Sequence, residues 1–296
     1  MRILVTGAAG DLGRRVVARL VLAGHDVAAL VRPGRPPMRA ALFPPGVQQV
    51  EMDLAILDPE RLPGGMEAIV SLAQSSHHRQ FPAKAAEIFA VNVAANQRLF
   101  EWARRRAIGR FVLASSGGVY ARRARAMSDN SSQTEAESPL GFYLGTKLCA
   151  ELLFDSFGPF FQTAITLRPF FIFGPGQRAD MLIPRLIESV RSGRPIQLQG
   201  KDGLRLNPIY VEDAAAAFVA ALDIKGCHAL DVAGPDILNL RGISEEIGRQ
   251  VGRAPVFEHR PGLPTDYVAN PDATRARLPA ARTRFSEGLA KMLSGG

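Results

Sequence analysis

Near its amino terminus the chain reads Ile3-Leu4-Val5-Thr6-Gly7-Ala8-Ala9-Gly10-Asp11-Leu12-Gly13, a short apolar run that breaks into glycines at 7, 10 and 13. Leu12, Val16, Leu20 and Ala23 then recur at helical spacing, and Gly24 closes that helix. A strand that turns through glycines directly into a helix has a physical use. Gly7 permits the tight turn, Gly10 lets backbone approach a pyrophosphate, and Gly13 lets the helix pack closely on the strand. The helix N-terminus, at Gly10, Asp11 and Leu12, then offers unpaired N–H groups and partial positive charge to an anion. The stretch reads as a dinucleotide phosphate loop.

Working outward, short apolar runs alternate with helical periodicity. Val27–Val31, Val47–Met52, Ala68–Ala73, Phe111–Ala114 and Ala164–Leu167 read as strands, with helices over Ala85–Arg106 and Tyr143–Phe157. Parallel neighbours require crossover helices, so this order predicts an α/β fold: a Rossmann-type, doubly wound parallel sheet. The pattern changes after Arg168-Pro169, where Gly174, Pro175 and Gly176 cluster. Ile183–Val190, Asp213–Leu222 and Ser244–Val251 read as helices and Ala229–Val232 as extended. The expected organisation is a dinucleotide domain over 1–170 and a small α/β substrate-binding lobe over 171–296, interleaved with it.

Of 296 residues 47% are hydrophobic and 22% charged, enough apolar material for a large core, which excludes disorder and a disulfide-stapled miniprotein. Two cysteines, Cys149 and Cys227, lack metal-ligand spacing; no metal is expected, and a reducing, cytoplasmic setting is. The start of the chain lacks signal-peptide character and no run of about 18 apolar residues occurs, so no membrane association is expected. The net charge of +8 comes largely from arginine. Its clusters, Arg104–Arg106 and Arg122, Arg123 and Arg125, are short and lack interleaved aromatics, which argues for a solvated surface over a nucleic-acid interface.

About 20 residues beyond the glycines, a carboxylate would hold the ribose 2′-hydroxyl of NAD. Here stand Val31 and Arg32, with Arg35 close by. A guanidinium suits a 2′-phosphate, so the cofactor is expected to be NAD(P) with NADP favoured; stacking of Arg32 on adenine would serve either. Tyr143 and Lys147 lie four apart in a helical stretch and share a face. A phenol with pKa near 10 is a poor base at neutral pH, and an adjacent ammonium favours its ionised form. Ser115-Ser116-Gly117-Gly118 ends the fifth strand, placing hydroxyls at the carboxyl edge of the sheet, where ligands of such folds bind.

Taken together and in this order, these segments resemble the extended short-chain dehydrogenase/reductases, the NAD-dependent epimerase/dehydratase group. The resemblance is carried by T-G-x-x-G-x-x-G, S-S-x-x-V-Y (Ser115–Tyr120), Y-x-x-x-K, R-P-F-x-x-x-G-P-G-Q-R (Arg168–Arg178) and Y-V-E-D (Tyr210–Asp213). It implies that Tyr143 is the acid/base, that Lys147 holds the nicotinamide ribose and lowers the tyrosine pKa, and that Ser116 hydrogen-bonds the reacting oxygen. It further implies Asp53 and Leu54 near adenine, Leu72 and Ala73 lining the cofactor cleft, Asn92 near the ribose and Phe170 near the nicotinamide. A homodimer through the helices near 85–106 and 143–157 is implied as well. The implied chemistry is hydride transfer at a secondary hydroxyl or ketone of a sugar-like, nucleotide-linked small molecule, as oxidoreductase or epimerase.

The chain also departs from that pattern. Gly117 and Gly118 stand where dehydratases of the group carry an Asp-Glu pair, which argues against a 4,6-dehydratase. Phe171 replaces an asparagine that contacts substrate in nucleotide-sugar members, leaving Arg178 and Arg205 as candidate pyrophosphate clamps or as surface arginines. An NADPH-dependent reductase of a smaller carbonyl compound is the alternative that Phe171 and Arg32 favour. A non-catalytic nucleotide sensor or RNA-associated protein on the same fold is another, opposed by the retained tyrosine and lysine. His77 and His78 read as solvated loop residues, Cys149 as a small packed thiol, and Phe100 and Trp102 as core.

Overall fold

The computed structural model describes residues 1–34, 43–120, 139–262, 264, 266–269 and 272–295. Arg35 and the Arg122, Arg123 and Arg125 cluster lie outside the described residues. The elements run β1 (Arg2–Thr6), α1 (Asp11–Leu22), β2 (Asp26–Val31), β3 (Gln48–Glu51), β4 (Ala68–Ser71), α2 (Ala85–Phe89), α3 (Ala95–Arg105), β5 (Arg110–Ala114), α4 (Pro139–Phe157) and β6 (Thr163–Pro169). There follow α5 (Leu182–Ser192), β7 (Ile196–Gln199), β8 (Arg205–Leu206), α6 (Val211–Ala220), β9 (Gly226–Val232), β10 (Leu238–Asn239), α7 (Leu240–Val251), β11 (Phe257–Arg260), α8 (Asp272–Arg275) and α9 (Phe285–Ser294). Two compact units result: Met1–Arg168 with Ala215–Leu230, and Pro169–Ala214 with Asp231–Gly296.

The first unit is built on a seven-stranded sheet of order β3-β2-β1-β4-β5-β6-β9. Strands β1 to β6 pair in parallel throughout. Burial on both faces explains why β1, β2, β4 and β5 read as continuous apolar runs rather than alternating ones. The order reverses between β1 and β4, both of which lie centrally, so loops leaving their carboxyl ends diverge and open a crevice. Under α3 and α4 lies an aromatic cluster in which Phe100 meets Phe111 edge-on at 5.0 Å and Phe154 at 4.9 Å. Trp102 is buried in the same core, as its helical spacing predicts.

The helix expected over Ala85–Arg106 is one run with a defect: Ala90–Ala94 between α2 and α3 is a π-helical turn. The widened turn carries buried Asn92, and such bulges gather at functional sites.

In the second unit β7 pairs in parallel with β11 and β8 antiparallel with β10. Asn239 caps α7 by accepting from the Gly242 N–H at 2.8 Å, and the Asp213 carboxylate accepts from the backbone N–H groups of Arg282 and Thr283. The Tyr210–Asp213 motif thus ties the start of α6 to the segment before α9. A Cβ on Gly174 would lie 2.4 Å from Val211 Cγ1, so the Gly-Pro-Gly cluster is a packing requirement at this point. Among the described residues no helix is long and apolar enough to cross a membrane, and no His/Cys/Asp/Glu group could hold a metal.

Candidate active site

The glycine loop has the geometry its sequence demands. Gly7 sits at φ +66°, and a Cβ there would meet Ala73 N at 2.8 Å, so the turn after β1 nests against the end of β4. A Cβ on Gly13 would lie 2.2 Å from the Gly7 carbonyl oxygen, which locks α1 onto the loop. At Gly10 the added atom would meet only Gly7 O at 3.2 Å, and Gly10 N-caps α1 without any side-chain hydrogen bond. The first N–H groups of α1 are therefore left to an external acceptor. This cradle fits a dinucleotide pyrophosphate. Asp11, in the first turn, has its carboxylate paired with Arg14 at 2.9 Å and Arg15 at 3.4 Å, while Leu12 is half-buried beside it.

Along the crevice, Arg32 is exposed just past β2, with Nη1 3.3 Å from Ser76 Oγ. Asp53 spends one carboxylate oxygen capping the short turn Leu54–Ile56 through the Ala55 N–H at 2.9 Å. Leu54 packs against the core and Leu72 is half-buried next to buried Ala73. Asn92 is fully enclosed: its Oδ1 accepts from the Ser75 N–H at 2.9 Å and its Nδ2 donates to Thr146 Oγ1 at 2.9 Å. Thr146 in turn donates to the Tyr143 carbonyl at 2.7 Å. Asn92 therefore joins the segment after β4 to the helix that carries Tyr143, so its structural use is splinting the site.

Tyr143, Lys147 and Ser116 come together in the first unit. Ser116 follows β5 and hydrogen-bonds the Tyr143 hydroxyl, and that hydroxyl also donates to Gln74 Oε1 at 2.9 Å. Burial of the phenol pushes its pKa up to about 12, with the Ser116 bond opposing the rise. Lys147, buried one turn along α4, donates to the Ala114 carbonyl at 2.9 Å. Burial lowers its pKa to about 8, held from falling further by the Glu151 carboxylate. The expected lowering of the tyrosine by the lysine is therefore corrected: desolvation dominates, and the phenol is neutral at physiological pH in this structure.

Sequence reasoning missed the supporting network. Glu151, one turn beyond Lys147, takes a bidentate fork from Arg168 at 2.9 and 2.7 Å. Arg168 also donates to the Tyr120 hydroxyl at 2.9 Å and lies 5.0 Å from that ring's centroid. Against the pull of burial, these partners hold Arg168 firmly charged. The matching signals in the sequence were the Glu spaced four from Lys147 and the arginine opening the R-P-F segment. His78 also differs from expectation: it is 4% exposed, not solvated, and its ring lies 5.3 Å from that of Tyr143. His77 is half-exposed and 3.6 Å from Glu87.

Gly118 faces Leu144, whose Cδ2 would be 2.7 Å from an added Cβ, so the place of a dehydratase acid is filled by a leucine side chain. In the second unit Phe170 is buried, with its N–H on Val232 O and its carbonyl accepting from Ile209. Phe171 has φ +45° and meets Tyr267 edge-on at 5.9 Å. That left-handed backbone suits asparagine and strains phenylalanine. Arg178 pairs with Asp180 at 2.8 Å and Arg205 with Asp266 at 2.6 Å, both exposed, so each candidate clamp already carries a carboxylate.

The structure thus places a glycine cradle on the β1–α1 turn and a Ser-Tyr-Lys cluster at the carboxyl edge of one parallel sheet. The sequence model described as the NAD dependent epimerase/dehydratase family matches residues 3–232. The chain belongs to this family. A "Probable UDP-glucuronate 4-epimerase" of Rhizobium meliloti is 25% identical, over 93% of this chain and 91% of the relative. The "Uncharacterized UDP-glucose epimerase YtcB" of Bacillus subtilis is 31% identical over 75% and 72%. The solved structure of MoeE5 in complex with UDP-glucose and NAD is 26% identical, with a TM-score of 0.78, covering 100% of this chain and 98% of that one. As a family member the protein is an NAD(P)-dependent oxidoreductase/epimerase, with the Rossmann-type sheet its phosphate loop foretold.

Proposed function

We propose that the protein oxidises, and as an epimerase re-reduces, a secondary hydroxyl of a nucleotide-linked sugar, with Tyr143, Lys147 and Ser116 as its catalytic residues. The observation that carries this is the Tyr143 hydroxyl bonded to Ser116 one helical turn from buried Lys147, at the edge where the glycine cradle opens. The relatives named as UDP-sugar epimerases and the structure solved with UDP-glucose support the substrate class. When bound, the dinucleotide accepts and returns the hydride. Tyr143 removes the hydroxyl proton as the carbonyl forms and gives it back on reduction; Ser116 donates to the reacting oxygen. Lys147, charged at neutral pH, is available to the cofactor ribose. Gly7, Gly10, Asp11, Leu12 and Gly13 hold the pyrophosphate, with Asp53, Leu54, Leu72, Ala73 and Asn92 shaping the rest of the cofactor site in the first unit.

Arg32 supports NADP over NAD, since no carboxylate occupies the place after β2 that would take a 2′-hydroxyl. Arg178 and Arg205 are proposed to exchange their aspartates for the substrate diphosphate, and Phe171 to contact the sugar. The 49% and 58% exposure of Phe89 on α2 and Leu152 on α4 supports a homodimer through those helices.

The test is a thermal-shift screen of both dinucleotides with UDP- and dTDP-sugars, followed by product analysis of any ligand that raises the melting point. A nucleotide sugar that stabilises the protein and returns as its epimer or its oxidation product is expected. Lack of any effect from nucleotide sugars, with NADPH-dependent reduction of small ketones instead, would overturn the substrate assignment.

A further inference from the structure

Gln74 reaches the acid/base from a direction that neither the sequence motifs nor the relatives assign. It follows β4 two residues after Leu72, is itself exposed, and accepts the Tyr143 O–H at 2.9 Å. Resting on the reading of Tyr143 given above, we propose that Gln74 is a positioning residue for both protonation states of that phenol. A carboxamide is the one neutral side-chain group offering an acceptor and a pair of N–H donors on the same carbon. With the phenol neutral, Gln74 Oε1 takes its proton, as seen here. With the phenol ionised, a half-turn about the terminal bond presents Nε2–H to the phenolate oxygen. Glutamate would serve only the first state and leucine neither.

The ring is fixed from its other sides. His78 packs against it with ring planes at 57°, and Ser116 hydrogen-bonds the hydroxyl. The titratable and charged groups around the phenol are His78 from the segment after β4, Lys147 on α4 and Glu151 a turn further along that helix. His77 and Glu87 face each other at 3.6 Å. Tyr143 is thus a long side chain whose hydroxyl direction is set by two hydrogen bonds, of which the exposed Gln74 can be replaced without opening the core.

The experiment compares wild type with Gln74→Glu, Gln74→Leu and Tyr143→Phe. NMR of isotope-labelled tyrosine Cζ in the cofactor-free chain reads the four tyrosines directly, and the Tyr143 resonance is the one absent from Tyr143→Phe. Gln74→Leu is expected to move that resonance and leave the other three in place. Gln74→Glu is expected to displace the alkaline rise of the oxidation rate upward by about one pH unit, because a like charge disfavours phenolate. This is roughly a tenfold lower rate at any pH below the midpoint, with dinucleotide affinity unchanged. Superimposable spectra and pH profiles in both Gln74 variants, with Tyr143→Phe inactive, would overturn this inference and leave the acid/base reading standing. An active Tyr143→Phe would overturn both.

Discussion

Lys147 sits at 3% exposure with its ammonium on a backbone carbonyl, and burying that charge costs stability. Its folded pKa of about 8 lies below the unfolded value of 10.5, so between these values the unfolded chain binds more protons. This group therefore makes stability rise with pH across that window, and below about 8 the full burial cost is present. Lys147→Met should raise stability at pH 7 by roughly 1–2 kcal/mol while removing turnover. Urea midpoints of the two proteins should converge as pH rises toward 10; a constant gap would contradict the assignment. Tyr143 acts in the opposite sense, lowering stability above pH 10 as the folded phenol holds its proton up to about 12. At Phe171 the φ of +45° costs about 1 kcal/mol, and Phe171→Asn should recover that amount in thermal unfolding. That Tyr143, Lys147 and Ser116 come together was legible, because the first two stand one helical turn apart and the serine ends a strand of the same sheet. Gln74 and His78 were not, because nothing in a sequence says which side chains of a loop turn toward a distant helix.

The glycine loop and α4 make separable predictions at the scale of elements. Gly10→Ala should fold normally but weaken dinucleotide binding at least tenfold, since its Cβ meets little besides the space over the α1 N-terminus. Gly13→Ala should destabilise the whole unit, because a 2.2 Å approach to backbone oxygen cannot be relieved by a side-chain rotation. Titration by protein fluorescence, beside melting curves, separates the two. Glu151→Ala leaves the buried Arg168 guanidinium without a carboxylate, held only by the Tyr120 hydroxyl and ring, and should cost roughly 3–5 kcal/mol. Strands β1, β2, β4, β5 and β6 were readable as apolar runs because burial on both faces writes them so, whereas β3 is mostly exposed. The π-helical turn at Ala90–Ala94 keeps helical periodicity on either side and leaves no compositional mark. Strands β8 and β10, two residues each, are too short to show a period, and β11 is mostly exposed.

At the scale of the molecule, the chain passes from one compact unit to the other and back, with Ala215–Leu230 returning to the first after Pro169–Ala214. The two-part division expected from the sequence, 1–170 and 171–296, does not contain the return of Ala215–Leu230, which begins inside α6, where a helix interior carries no boundary signal. In the proposed reaction Tyr143 takes the hydroxyl proton while hydride leaves the carbon that bears that hydroxyl. This step is tested most directly by single-turnover transfer of deuterium from the hydroxyl-bearing carbon of a nucleotide sugar to oxidised dinucleotide, in wild type and Tyr143→Phe. The account predicts transfer by wild type and a loss of about a hundredfold or more in the variant, with dinucleotide affinity within about twofold. Label transfer at the wild-type rate in Tyr143→Phe would contradict it.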